Sequence, residues 1–243
     1  MANIKEIVKE KYGKIANGAS RENCCDSNTS AFDFMADKYD IKEISDVEIA
    51  NLGLGCGTPT TYLDLKEGMY VLDVGSGGGI DVFIASKYVG STRKVIGLDM
   101  TEQMTNKARE NAVKLRRTNV EFRLGEIEHM PIDSNSIDRV ISNCVLNLVP
   151  DKHQAFSEIY RVLKPGGSFV ISDIVIRGSM PEDVRCNAEL WAGCIAGAMD
   201  KEEYLNIIAV AGFKDIRLLN EKKYNEVSSE KFALLSITIK GTK

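Results

Sequence analysis

The residues of this 243-residue chain with the clearest chemical content are a glycine-rich run, two aspartates placed around it, and six cysteines. The run reads Asp73-Val74-Gly75-Ser76-Gly77-Gly78-Gly79. Glycines there let the backbone turn tightly and approach a ligand, while the helix that follows presents its first N–H groups to it. Position 80 is Ile, which breaks the Gly-x-Gly-x-x-Gly spacing of a dinucleotide site. Further on, Gly97-Leu98-Asp99-Met100 puts a carboxylate at the end of the next strand, where it can accept both hydroxyls of a ribose. The plainer role for Asp99 is a helix N-cap. Gly125, Glu126 and Ile127 follow the third strand, and Asn143 closes the fourth. Together these positions outline a nucleoside site.

The cysteines are Cys24, Cys25, Cys56, Cys144, Cys186 and Cys194. None forms a C-x-x-C pair, which argues against a zinc ribbon or a thioredoxin-type motif. Each taken alone reads as a small buried hydrophobe. Their placement suggests more. Cys144 directly follows Asn143, at the rim of the nucleoside crevice. Cys194 falls in an insertion after the fifth strand, which must fold back over that rim or leave Trp191 exposed. Cys56 sits in the tight loop Gly55-Cys56-Gly57 before the sheet begins. Three thiols from distant parts of the chain can thus meet above the ligand. Zinc usually wants a fourth ligand or a water beside three thiolates. A soft, thiophilic, three-coordinate centre such as trivalent arsenic suits them better. Cys186 matches no such position and reads as a core or spare thiol. His129 and His153 lie in polar sequence and read as surface residues.

The elements that position these residues follow from periodicity. Asn3 to Ala16 carries apolar residues at helical spacing. Residues 17–30 read as a loop, with helical stretches from about Ala31 to Tyr39 and from Glu48 towards the Gly53–Gly57 turn. From Tyr70 onward, short β-branched runs alternate with helices: YVLDVG, KVIGLDM, VEFRLG, DRVISNCV and SFVISDIVI, with helices after Gly79, from about Glu102 to Leu115 and from about Lys152 to Leu163. Such alternation indicates a parallel sheet covered on both faces. Pro165-Gly166-Gly167 is a turn that ends a helix and starts a strand. A helix from about Lys201 to Ala211, a strand near Ile216–Leu219 and a last strand, FALLSITIK, complete the chain, with an antiparallel hairpin expected at the sheet edge.

Bulk properties set limits on function. Lysine and arginine number 31 against 35 aspartates and glutamates, a net charge of −4, so the charge balance does not favour nucleic acid. No apolar run approaches the roughly 18 residues of a membrane span, and the N-terminus has no signal-peptide core. A cytoplasmic location with mostly reduced thiols is the expectation. The length fits one domain: a helical cap at about 1–58, a core at about 59–176, an inserted segment at about 177–200 and the end of the core at about 201–243.

An aspartate two places before Gly-x-Gly-x-Gly resembles the cofactor loop of the Rossmann-like, class I methyltransferases that use S-adenosylmethionine. The wider pattern resembles the arsenite methyltransferases from Leu52 to about Phe213. It rests on LGCG (54–57), VLDVGSGGGIDVF (71–83), GLDMTEQM (97–104), GEIEHMPIDSNSIDRVISNCVLNLVPDK (125–152), RVLKPGG (161–167) and WAGCIAGAM (191–199). The stretches around Cys144 and Cys194 are specific to that family; the glycine loop and LKPGG are shared widely. The resemblance implies an α/β fold with a mostly parallel seven-stranded sheet, S-adenosylmethionine as methyl donor, and arsenic(III) ligands at Cys56, Cys144 and Cys194. Cys24 or Cys25 would be a fourth thiol that accepts or relays arsenic or pairs with Cys56. Arsenite or its thiol conjugates would be the substrate and glutathione or thioredoxin the reductant, with a monomer the expected state.

Two features depart from the family pattern. Members often carry tyrosines just before Gly-Cys-Gly, one of which contacts the cofactor. Here Gly53 and Leu54 stand there, and Tyr62 is the nearest substitute. The sequence also stops before the cysteine-bearing C-terminal region of animal members. Two other functions fit part of the pattern. A quinone or sterol C-methyltransferase explains the core but gives no reason for the cysteines. A metalloid sensor explains the cysteines but gives no reason for Asp73 and Asp99.

Overall fold

The computed structural model describes residues 4–18, 39, 44–179, 197–225, 228 and 232–243. The expected helix at Ala31–Tyr39 lies outside them except for Tyr39, as do Cys24, Cys25, Cys186, Trp191 and Cys194. The described elements are α1 (Ile4–Ala16), β1 (Val71–Val74), α2 (Ile80–Val89), β2 (Val95–Asp99), α3 (Glu102–Lys114), β3 (Val120–Leu124), β4 (Ile137–Asn143), α4 (Lys152–Val162), β5 (Leu163–Gly178), α5 (Lys201–Val210), β6 (Lys214–Tyr224) and β7 (Phe232–Thr242). They form one seven-stranded sheet in the order β3-β2-β1-β4-β5-β7-β6. The first five strands of that order pair in parallel. β7 runs antiparallel between β5 and β6, the expected edge hairpin.

Alternation along the strands divides the core between the two faces of the sheet. Val71, Val95, Ile141 and Val170 point to one face, with Phe83, Ile84 and Val89 of α2 and Ala108 of α3. Leu72, Ile96, Val140 and Ile171 point to the other, with Phe156 and Ile159 of α4 and Tyr204 and Ile208 of α5. Both faces being covered explains why the strands are almost continuously apolar. A third, smaller cluster joins Val8 of α1 to Cys56, Cys144, Ile174, Tyr224 and Leu234.

Three local expectations change. The segment from Glu48 forms only a 3₁₀ turn, Glu48–Ala50, because Gly53, Gly55 and Gly57 follow too closely for a longer helix. Pro165-Gly166-Gly167 does not precede β5 but lies within it, where the pairing with β4 jumps from Leu163 to Ser168. The last carbonyl stitches this irregularity down, since the Gly166 N–H donates to Lys243 O at 3.0 Å. β6 also runs well beyond Ile216–Leu219, because its pairing with β7 continues to Tyr224.

Candidate functional site

A single crossover rule locates the site. Strand order reverses at β1 and β4, so α2 and α4 leave on opposite faces and a crevice opens at the carboxyl ends of these strands. An open cavity of about 1020 Å³ lies there. Asp73, Gly75, Ser76, Gly77, Asp99, Met100, Ile127, Asn143 and Cys144 all line it, as the sequence reading expects. Four other expected residues stand just behind the wall. Gly79 caps α2 against Phe83 and Phe122, and Gly125 turns against Pro131. Glu126 is held by Lys5 and Lys9 of α1. Cys56 is buried at 1% exposure.

The glycine loop passes through positive φ at Gly75, Gly77 and Gly79, conformations a side chain would strain. Asp99 fixes the loop: one carboxylate oxygen accepts the Gly77 N–H at 2.9 Å and the other accepts the Thr101 N–H at 2.8 Å. The residue at the N-cap of α3 is Thr101, so the plainer role considered for Asp99 does not apply. Carboxylate oxygens have further lone pairs, and Asp99 lines the cavity.

The charged groups of the crevice are mostly acidic. Asp73, Asp81 and Asp99 all line it. Asp73 is 2% exposed, and among the described residues its carboxyl has no hydrogen-bond partner. Burial, followed by the charges of Asp81 and Asp99, pushes its carboxyl well above the usual range. Burial also raises Asp99, against the two N–H donors that lower it. The nearest lysine on the wall, Lys5, is turned to Glu126 and Glu128 at 2.7 and 2.9 Å. A buried carboxylate without a partner is costly and calls for a cation. The crevice therefore suits a positively charged nucleoside and opposes a pyrophosphate, which agrees with the broken dinucleotide spacing at Ile80.

S-adenosylmethionine fits this test, since it joins a ribose to a sulfonium and an ammonium. Asp73 would face the ammonium, Asp99 the ribose, and Met100 and Ile127 the adenine. Tyr62 packs into the core away from the cavity. The aromatic residues on the cavity wall are instead Tyr12 and Tyr39, both missed by the sequence reading. Also missed were Asp81 and the α1 residues Lys5 and Val8. The only sequence signal for α1 was its apolar face; Tyr39 carried none.

The thiol side is built around Asn143. Its Oδ1 accepts the Cys56 N–H at 3.0 Å. Its Nδ2 donates to Gly57 O at 2.8 Å and to Tyr39 Oη at 2.9 Å, and lies 3.3 Å from Asp81 Oδ2. Tyr39 in turn donates to Asp81 at 2.9 Å. Asn143 lines the cavity, and its amide also clamps the Gly55-Cys56-Gly57 loop onto the end of β4. Gly57 is required by closeness, because a Cβ there would stand 2.4 Å from Ser172 Oγ. Ser236 Oγ donates to Cys56 O at 2.7 Å and anchors the loop from β7. Cys144, 6% exposed, follows with φ of 62° and donates its N–H to Ser172 O at 2.8 Å. Cys56 and Cys144 thus fall in one buried cluster at the cavity. His129 and His153 are exposed, as expected.

The methyltransferase-domain family matches residues 65–212. An arsenite methyltransferase of Halobacterium salinarum is 39% identical over 239 residues, covering 93% of this chain and 61% of that protein. A mouse arsenite methyltransferase is 38% identical over 181 residues, covering 71% and 48%. The chain therefore spans about three fifths or less of these curated relatives. A crystal structure of an arsenic(III) S-adenosylmethionine methyltransferase from Chlamydomonas reinhardtii superposes with a TM-score of 0.71 at 31% identity, covering 89% of this chain and 75% of that one.

Proposed function

Because the chain belongs to the arsenite methyltransferase family, we propose that it transfers methyl groups from S-adenosylmethionine to trivalent arsenic held by cysteine thiolates. The observation that carries this reading is Cys144 on the wall of a cavity whose other walls hold Asp73 and Asp99. Donor and acceptor chemistry share one crevice.

Bound there, S-adenosylmethionine supplies a methyl group on a positively charged sulfonium. The chain's part is to hold the two reactants in near-attack geometry. Asp73 balances the ammonium, Asp99 keeps the glycine loop in place and receives the ribose, and α1 covers the adenine side. Cys56 and Cys144 bind arsenic, with Cys194, outside the described residues, as the third ligand. Each thiol that binds arsenite replaces one hydroxide, and its proton leaves in the water released. The arsenic lone pair needs no deprotonation, so no general base is required, and both histidines stand exposed at the surface. Arsenite or its thiol conjugates are the substrate in this reading, and glutathione or thioredoxin restores the thiols. Among the described residues no helix is long and apolar enough to cross a membrane.

The test is Cys144→Ser and, separately, Cys56→Ser. Either change should reduce arsenite-dependent methyl transfer by about 100-fold or more (some 3 kcal/mol) and leave S-adenosylmethionine affinity within about twofold. Transfer that survives both changes would overturn the thiolate mechanism.

A further inference from the structure

A second buried polar cluster lies in the core on the face of the sheet covered by α4 and α5. Asp173 is in the middle of β5, fully buried, on the same face as Ile171 and Val175. Its Oδ2 accepts the Tyr204 hydroxyl of α5 at 2.8 Å and its Oδ1 accepts the Ile174 N–H at 2.9 Å. It also accepts the backbone N–H of Asn147. Lys152, at the start of α4 and 6% exposed, donates Nζ to Asn147 O at 3.1 Å and to Val149 O at 2.9 Å. Tyr204 is braced edge-on against Phe156, with ring centroids 5.5 Å apart.

These bonds converge on one short stretch. Cys144 leaves β4 in a left-handed conformation, and the 3₁₀ turn Leu146–Leu148 follows at once. Asp173 holds that turn by the N–H of Asn147, and Lys152 holds it by the carbonyls of Asn147 and Val149. An L-residue with positive φ persists only where its surroundings impose it. The Ser172 carbonyl that accepts the Cys144 N–H belongs to the peptide leading into Asp173. Tyr204 is also near the thiols: after burial and Asp173, Cys56 and Cys144 add to the rise of its hydroxyl pKa. A buried carboxylate and a buried ammonium are expensive to keep in a core, and apolar residues would fill this space at less cost.

We propose that Asp173, with Tyr204 and Lys152, positions the Cys144 thiol by gripping the turn that follows it from the core beneath α4 and α5. The proposal rests on the reading of Cys144 as an arsenic ligand. Asp173 is a positioning residue in it and touches neither substrate nor cofactor. The grip ties the acceptor half of the site to α4 and α5, while the donor half is tied to α2 and α3.

The experiment uses the full chain with Asp173→Asn, Tyr204→Phe and, as a variant that removes the other hand of the grip, Lys152→Met. Phenylarsine oxide is the probe: it takes two thiols and releases one water, so in a background with Cys24, Cys25, Cys186 and Cys194 replaced by serine it reports on Cys56 and Cys144 without any methyl transfer. Each variant should bind it at least about tenfold more weakly, with S-adenosylmethionine affinity within about twofold of the unsubstituted chain. Hydrogen exchange at the Asn147 amide should speed up in Asp173→Asn while the amides of β1 and β2 keep their protection. An unchanged phenylarsine oxide affinity in the variants that fold, or an equal loss at the cofactor site, would overturn the proposal. If the unsubstituted chain binds phenylarsine oxide but never methylates arsenite, the functional reading fails and the positioning result stands on its own.

Discussion

Cys144 and Asn143 are neighbours with opposite tasks. Asn143 has an ordinary strand conformation and uses its amide to hold the loop of another thiol, whereas Cys144, the proposed arsenic ligand, is itself held by other residues. Asp99 has a double duty in the proposed function, since both its oxygens already fix backbone and it is also the group proposed to receive the ribose. Asp99→Ala should therefore weaken S-adenosylmethionine binding by more than about tenfold, the loss of a charge-assisted hydrogen bond or more. Calorimetry measures it, and an unchanged affinity would remove Asp99 from the site. At Gly57 a methyl group would collide with Ser172. Gly57→Ala should destabilise the fold by about 1–3 kcal/mol in a denaturant titration, the usual penalty of overpacking. It should also lower arsenite turnover more than cofactor affinity, because the displaced loop carries Cys56.

Among the elements, α1 is the one whose role depends most on charge. Lys5 and Lys9 reach across to Glu126 and Glu128, and Lys5, Val8 and Tyr12 then close one side of the cavity. The pairs are partly exposed, so each is worth only about 0.2–1 kcal/mol and is screened by salt. Replacing both lysines by alanine should weaken S-adenosylmethionine by up to about tenfold at low ionic strength. The difference from the unsubstituted chain should shrink in high salt. Equal affinities at low salt would mean that α1 does not close the site. The glycine loop is the counterpart on the other side, shaped by positive φ at three glycines and held by one charged group, Asp99.

At the scale of the whole molecule, the sheet order brings the site together and also buries the titratable groups beneath it. Burial, opposed by Tyr204, Ile174, Lys152 and Asn147, raises Asp173 from 3.8 to about 6. The groups that face it or its lysine partner include Tyr204, Lys152, Glu203 and Glu128. A carboxyl raised in the fold binds its proton more tightly there than in the unfolded chain. Its contribution favours folding below the unfolded value and is lost as pH rises through the folded one, by roughly 3 kcal/mol between about pH 4 and 6. Asp173→Asn should remove that slope from stability measured by denaturant at each pH. A slope identical in both chains would show that Asp173 does not titrate in this range.

The sequence by itself determined the sheet, the cofactor loop and the family. Strand–helix alternation and glycine spacing are local patterns, and Asp73, Asp99 and Met100 fall at strand ends that periodicity alone locates. It also marked Cys56 and Cys144 as candidates for one site, through their motifs. Only the tertiary structure decided what surrounds them. Tyr39, Asp81 and Lys5 reach the cavity through packing between segments far apart in the chain, and no local pattern records such contacts. That Asn143 holds the Cys56 loop, that Glu126 pairs with α1, and that Asp173 meets Tyr204 and the Asn147 turn depend on which strands lie side by side. Periodicity says that a residue points inward; the order of the strands says what it meets there.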